Sequence, residues 1–459
     1  MFISKVKRIH FVGIGGIDMS GIAEVLLNLG YRVSGSDLAV TPVTERLRVL
    51  GGRIAAGHDA ANVQDAQVVV ISSAVRPENP EVLEAHRLQV PVIPRAEMLA
   101  ELMRMKHGIA IAGAHGKTTT TSLVATILAA ADLDPTAVIG GRLDAFGSNA
   151  RLGQGDFLVA EADESDGSFL SLSPIWAVIT TIDREHLDYW PDLERIREAF
   201  VTFANKVFFY GAAILGVGDP GVREILPKVR KRVITYGLDV EADVRGSDPS
   251  FEGPSSSCTV HARGRELGRL HVPIPGVHNL SNALAAVAVA LELDLAPETI
   301  FGALATFRNA HRRFERRGEQ GGVLVVDDYA HHPTEIRATL AAARRGFARR
   351  IVAVFQPHRY TRTRDLEQEF LEAFDDADLV LVTGIYAAGE EPIAGVSGER
   401  LAGLLGGRAR AAVQFVPDKA QLPAALAAAV RPGDLVLTLG AGDVWRAGDG
   451  LLKLLAEAG

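Results

Sequence analysis

The chain has 459 residues, of which 47% are hydrophobic and 23% charged, and a formal net charge of −8. That length exceeds one ordinary core and predicts about three domains, with a globular rather than disordered balance. Acidic and basic residues interleave without a basic block, which argues against a nucleic-acid partner but leaves local loops able to bind small anions.

The lone cysteine, Cys258, has no second thiol to pair with and fits a reducing compartment. Met1–Val12 runs straight into a glycine turn, without the apolar region of a signal peptide. The longest apolar stretch, Ala283–Leu291, falls far short of the ~18 residues a membrane span needs. A soluble cytoplasmic enzyme, with no membrane partner, is the expectation.

The pattern predicts successive α/β blocks, each opening on a strand that delivers a loop. The first begins with a strand at Arg8–Val12, turns through Gly13–Gly16 and enters a helix at about Met19–Leu29. Strands follow at Tyr31–Gly35, ending in Ser36-Asp37, and at Gln67–Ile71, ending in Ser72-Ser73. The second block opens at His107–Ala112 with a glycine turn and a Thr-rich helix, then strands at Phe157–Ala160 and Trp176–Thr181. Cys258–Val272 reads as a β-hairpin about Gly264, and Gly276-Val-His-Asn starts an Ala-rich helix. The third block begins near Arg308, with strands at Val323–Val326, Ile351–Phe355, Leu379–Val382 and Leu435–Leu439. Strands alternating with helices at this spacing predict mainly parallel sheets, with domains at 1–106, 107–310 and 311–459.

The turn Gly13-Ile-Gly-Gly-Ile-Asp18 lies between strand and helix, where glycines let the backbone approach a pyrophosphate and the helix start offers N–H groups. Asp18 stands where the dinucleotide fingerprint has its third glycine. An NAD site remains open, because Asp37 follows the second strand where a ribose-binding acid belongs. A tight turn that binds nothing also remains open.

Gly113-Ala-His-Gly-Lys-Thr118 is more specific. A full Walker A motif would have glycine at position 111, which is Ile111 here, so this is a shortened P-loop. Lys117 would meet the β- and γ-phosphates and Thr118 a magnesium ion. An N-cap followed by a polar helix is the alternative reading. Hard oxygen donors for a cation follow in two clusters at strand ends. One is Glu161, Asp163, Glu164 and Asp166; the other is Asp183, Glu185, His186 and Asp188. Spacing alone does not choose among these eight.

Taken together, the motifs resemble the Mur ligases. The matching segments are Gly13–Glu24, Gly113–Ser122, Glu161–Leu170, Ile179–Tyr189, Gly276–Ala285, His311–Glu315, Asp327–Glu335 and Phe355–Leu366, in the family's order. The resemblance implies three domains: a Rossmann-like one for a UDP-sugar, a P-loop one for ATP, and a Rossmann-like C-terminal one for an amino acid. It implies that ATP, with Mg2+ or Mn2+, converts the lactyl carboxylate of UDP-N-acetylmuramate to an acyl phosphate that the amine of L-alanine attacks. Phosphate is a usable leaving group where a carboxylate oxygen is not, and the cation and Lys117 would offset developing charge.

Residue by residue, the resemblance assigns catalytic roles to Lys117, Glu161, His186 and Arg313. Metal ligation falls to Thr118, Glu161 and His186. ATP falls to Gly113, Ala114, His115, Gly116, Lys117, Thr118, Thr119, Asn279, Asn282, Arg313 and Asp328. The sugar nucleotide falls to Gly15, Gly16, Asp37, Ser72 and Ser73, and the amino acid to Tyr329, His331, Arg359 and Arg362. Asn279 and Asn282 also read as plain helix-start residues, and the two arginines as surface or sugar-phosphate contacts.

Three departures stand out: Asp18 for a glycine, Ala114 for a common threonine, and Val201 where later-acting relatives carry a carbamylated lysine. Absence of that lysine agrees with the alanine-adding subclass. A recycling ligase that attaches a tripeptide and a non-catalytic NAD-binding regulator are the rival readings. Phe355–Thr363 resembles the alanine-adding pattern, and a regulator leaves Lys117 unexplained. Oligomeric state is not legible in the sequence.

Overall fold

Several strands are buried at every position, among them Val323–Asp328, Ile351–Phe355 and Leu435–Leu439. Continuous burial without alternation marks strands covered on both faces, as in parallel sheets. The computed structural model describes residues 5–72, 74–143, 148–151, 153–187, 189–408 and 410–458, with backbone alone for 17, 18, 140–143 and 148–151.

The first sheet holds β1 (Arg8–Val12), β2 (Arg32–Asp37), β3 (Arg53–Ala56), β4 (Val68–Ile71) and β5 (Val92–Pro94) in the order β3-β2-β1-β4-β5. Every pairing in it is parallel. The strand order reverses at β1, so the crevice beyond its carboxyl end is the topological switch point, where open α/β sheets bind ligands.

The second sheet contains β6 (His107–Ala112), β7 (Thr136–Leu143), β8 (Ser148–Arg151), β9 (Phe157–Glu161), β10 (Trp176–Ile179), β11 (Ala212–Gly216), β12 (Val233–Leu238), β13 (Val244–Glu252), β14 (Ser255–Ala262) and β15 (Arg265–Val272). Its order is β15-β14-β13-β12-β11-β10-β6-β9-β7-β8. β6 lies between β9 and β10, parallel to both. The loops that follow these three strands therefore leave the same edge of the sheet side by side.

The third sheet contains β16 (Glu315–Gln320), β17 (Val323–Asp328), β18 (Ile351–Phe355), β19 (Leu379–Thr383), β20 (Ala412–Val416) and β21 (Leu435–Leu439), ordered β16-β17-β21-β18-β19-β20. Only β16 runs antiparallel to its neighbour.

By compactness the chain forms two units. One comprises Met1–Asp248, Cys258–Leu270 and Ser281–Ala310; the other comprises Pro249–Ser257, His271–Leu280 and His311–Gly459. Among the described residues, no helix is long and apolar enough to cross a membrane. Cys258 is buried, and burial pushes its thiol up to about 12, which leaves it unreactive.

The predicted strands are present, with ends displaced by a few residues; the first helix spans Ile17–Asn28 rather than Met19–Leu29. The sequence reading did not anticipate β3, β5, β7, β8, β11, β12, β13, β16 and β20. β16 shows why: Glu-Arg-Arg-Gly-Glu-Gln has little strand propensity, and it is extended because it pairs along β17.

Candidate active site

The second glycine turn follows β6. Gly116 sits at φ +84° as the residue before helix Lys117–Ala130, and a Cβ there would come 2.4 Å from Asn282 Oδ1. Only glycine fits both the backbone and the space. Asn282 is thereby placed against the turn, buried on helix Val277–Glu292.

Lys117 turns back over the loop. Its Nζ donates to Gly113 O at 2.7 Å and lies 2.8 Å from both Glu164 carboxylate oxygens. Burial works against its charge, but Glu164, Asp163 and Glu185 outweigh it and hold the lysine pKa above its ordinary value. Burial pushes the Glu164 carboxyl up, with Lys117 opposing. Lys117 is thus a permanent cation clamped at the mouth of a helix amino terminus, suited to phosphate charge.

The strand-end residues resolve into groups. Thr118 Oγ1 donates to Glu161 Oε2 at 3.3 Å, bringing together two of the three expected metal ligands. His186, the third, instead joins Glu164 and Glu185, with one ligand atom from each inside a 4.8 Å cluster. Two carboxylates and an imidazole give a donor set with enough hard oxygen for a divalent cation, and the imidazole extends it to Mn2+. His186 holds φ +55°, an uncommon backbone for a non-glycine residue, and this aims its ring at the carboxylates.

The sequence reading named Glu164 and Glu185 without selecting them; their burial distinguishes them from solvated loop acids. Asp183 meets His115, whose Nε2 lies 3.0 Å from its carboxylate. Asp188 lies outside the described residues.

The first glycine turn is held by backbone. Gly13 and Ile14 N–H both donate to Ser36 O, at 2.9 and 3.0 Å, which locks the turn to the end of β2. Gly15 N–H donates to Asp37 Oδ2 at 2.8 Å. Asp37, expected to contact the sugar nucleotide, braces the turn itself. A Cβ on Gly15 would come 2.8 Å from the same carboxylate oxygen. Ser72 is half-buried after β4. Ser73 and the Asp18 side chain lie outside the described residues.

In the third sheet, Tyr329 and His331 follow β17 and Arg359 and Arg362 follow β18. The rings of Tyr329 and His331 lie 5.2 Å apart and those of His331 and His358 5.3 Å, and Tyr386 stacks on His358 at 5.7 Å. Arg362 donates to His358 Nδ1 at 3.3 Å, so the four expected amino-acid residues form one neighbourhood through His358. Sequence reasoning missed His358 and Tyr386; His358 lay inside the quoted Phe355–Leu366 motif, whereas Tyr386 carried no signal. Burial, with His331 and both arginines nearby, drives His358 down to about 3, so it is a neutral acceptor. Arg359 adopts φ +68°, and its N–H donates to Tyr386 O at 2.9 Å.

Arg313 lies 3.8 Å from Glu335 and over the Tyr329 ring. The carboxylate of Asp328 accepts the Phe314 and Ala330 N–H groups, and burial raises it to about 6. Asn279 donates to Pro275 O at 2.7 Å, pinning the helix start.

Three mainly parallel sheets with a shortened P-loop and strand-end acids mark an α/β enzyme of the nucleotide-using kind. Three family profiles match in order: "Mur ligase family, catalytic domain" over residues 8–107, "Mur ligase middle domain" over 111–290, and "Mur ligase, glutamate ligase domain" over 312–442. The UDP-N-acetylmuramate–L-alanine ligase of Geotalea daltonii is 58% identical over 454 residues, covering 99% of each chain. A crystal structure of the UDP-N-acetylmuramate–alanine ligase of Thermotoga maritima matches with TM-score 0.81 and 31% identity, over 98% of this chain and 100% of that one. A murein peptide ligase from Psychrobacter arcticus matches with TM-score 0.69 and 25% identity, over 98% of both. The chain belongs to the Mur ligase family.

Proposed function

We propose that this chain joins L-alanine to the lactyl carboxylate of UDP-N-acetylmuramate in the cytoplasm, using ATP and passing through an acyl phosphate. The sugar nucleotide is assigned to residues 1–106, ATP to 107–310 and the amino acid to 311–459. The observation that carries the reading is Lys117: a half-buried, charged lysine in a glycine turn, beside strand-end carboxylates that suit a cation.

Lys117 orients the phosphates and steadies charge on the transferred group. Asn282, against the turn, is assigned to the nucleotide together with Asn279, Arg313 and Asp328. Thr118, Glu161, Glu164, Glu185 and His186 would hold Mg2+ or Mn2+, which supplies Lewis-acid charge when bound. Arg359 and Arg362 hold the alanine carboxylate, since a guanidinium fork matches a carboxylate with parallel hydrogen bonds.

Phosphate release from ATP is measured with UDP-N-acetylmuramate and each amino acid in turn, and with the tripeptide. Release that depends on L-alanine supports the proposal; release only with the tripeptide replaces it with the recycling activity. Arg359→Lys is expected to raise KM for L-alanine roughly tenfold, the loss of one charged hydrogen bond, and to leave KM for ATP and the UDP-sugar within about twofold. A common rise in all three places the alanine clamp elsewhere.

A further inference from the structure

A fully buried carboxylate sits behind the first glycine turn. Glu81 is the second residue of helix Pro80–Arg87 and has no solvent exposure. Buried glutamates are rare unless paired, and this one meets four residues from three segments. Ser36 Oγ, at the end of β2, donates to Glu81 Oε2 at 2.6 Å. Asn62 Nδ2, in the short turn after β3, donates to Oε1 at 2.5 Å. His58 Nδ1 lies 3.1 Å from Oε2 and 2.9 Å from Ser36 Oγ. His10 on β1, itself buried, brings Nε2 to 3.6 Å from Oε1 and Nδ1 to 2.9 Å from Ser34 Oγ. Burial alone would raise the Glu81 carboxyl; the nearby His10 and hydrogen bonds from Ser36 and Asn62 hold it at about 2.

Ser36 connects this cluster to the turn. Its hydroxyl belongs to Glu81, while its carbonyl is the common acceptor for Gly13 and Ile14 N–H. The next residue, Asp37, accepts Gly15 N–H through its carboxylate and Gly57 N–H through its carbonyl, the latter at 2.8 Å. Gly57 adjoins His58. The cluster thus fixes both ends of the segment on which the turn hangs. Packing alone does not explain it, since a buried ion with this many donors is a costly way to fill space.

We propose that Glu81 is a positioning residue for the sugar nucleotide, acting through Ser36 and His58 to hold the Gly13–Gly16 turn in the conformation that receives the diphosphate. The inference rests on the reading above that the sugar nucleotide lies on this turn. Glu81 touches no substrate. Its effect is to fix the backbone path of the turn, so its loss should weaken binding of one substrate and leave the chemical step alone.

The test is steady-state kinetics of Glu81→Gln, Ser36→Ala, the double variant and Gly15→Ala, with calorimetric binding of UDP-N-acetylmuramate in the absence of ATP. Glu81→Gln is expected to raise KM and Kd for UDP-N-acetylmuramate roughly tenfold, the effect of losing charge-assisted hydrogen bonds. Its kcat at saturation and its KM for ATP and L-alanine should stay within about twofold. Ser36→Ala should shift the same constants less, and the double variant should be no worse than Glu81→Gln, because both act along one path.

Constants for all three substrates rising together, or kcat falling in step, would reduce Glu81 to a stability element. An unchanged sugar-nucleotide constant in Glu81→Gln beside a raised one in Gly15→Ala would overturn the positioning role and keep the turn as the binding site. No change in either variant would remove the turn itself from sugar-nucleotide binding, and the inference with it.

Discussion

The two glycine turns occupy equivalent places, each between a central parallel strand and a helix, yet they handle charge in opposite ways. The second turn carries its own cation, and Lys117 is locked to Glu164 by two 2.8 Å contacts. The first carries none: its N–H groups are held by the Ser36 carbonyl and the Asp37 carboxylate. The carboxylates behind them differ as well. Glu81 is pulled down by donors around it, whereas burial pushes Glu164 up. A turn that only grips a diphosphate needs ordered N–H groups. One that serves a transferring phosphoryl group needs fixed charge aimed where negative charge develops. The two turns thus share strand–helix placement and local sequence but differ in electrostatics.

The sharpest way to break this contrast is Lys117→Ala. Removing a donor to developing charge typically costs ~10²–10³ in rate, so kcat should fall by about that factor. UDP-N-acetylmuramate binding without ATP should be unchanged by calorimetry. A variant that turns over near the normal rate would erase the distinction between the turns.

Acid titration separates the two carboxylates next. The pKa of Glu81 falls on folding, from an ordinary glutamate value to about 2. The folded chain therefore binds fewer protons there than the unfolded one. The stabilisation is present above about pH 4.5 and is lost as pH falls through about 2. It amounts to a few kcal/mol, by order of magnitude, from about 1.4 kcal/mol per pK unit. Urea unfolding should show the parent more stable than Glu81→Gln above pH 5, with the gap closing toward acid. A gap independent of pH would mean that Glu81 contributes shape and not charge.

The smallest expected effect sharpens the cation side of the second turn. His186→Ala and Glu185→Gln should each raise the Mg2+ concentration for half-maximal activity about tenfold, the scale on which a lost metal contact acts. Binding of UDP-N-acetylmuramate without ATP should not move. Identical magnesium titrations in parent and variants would make the Glu164–Glu185–His186 group an internal ion cluster.

Much of this protein is legible in the order of its residues. Arg8–Val12, His107–Ala112, Ile351–Phe355 and Leu435–Leu439 are short, mainly apolar runs followed by turn residues, and the strands lie at those bounds. Gly113–Thr118 is equally local: a positive φ at Gly116 and a lysine beside it follow from the residue types. Polar β16 was hidden because pairing and not propensity makes it a strand.

What only the tertiary structure decided is which distant side chains meet. The spacing offered eight strand-end donors without choosing, and the family resemblance picked out Glu161 and His186. The fold put Glu161 on Thr118, Glu164 on Lys117, and His186 with Glu164 and Glu185. It also gathered His10, Ser36, His58 and Asn62 around Glu81, a glutamate that nothing in its own segment singles out. The physical reason is one of range. Hydrophobic period and glycine placement act within a few residues, so sequence shows them. The direction of a side chain leaving a strand depends on loop dihedrals such as φ +55° at His186, and its partner on which strands lie adjacent. Both are settled only once the sheet has formed.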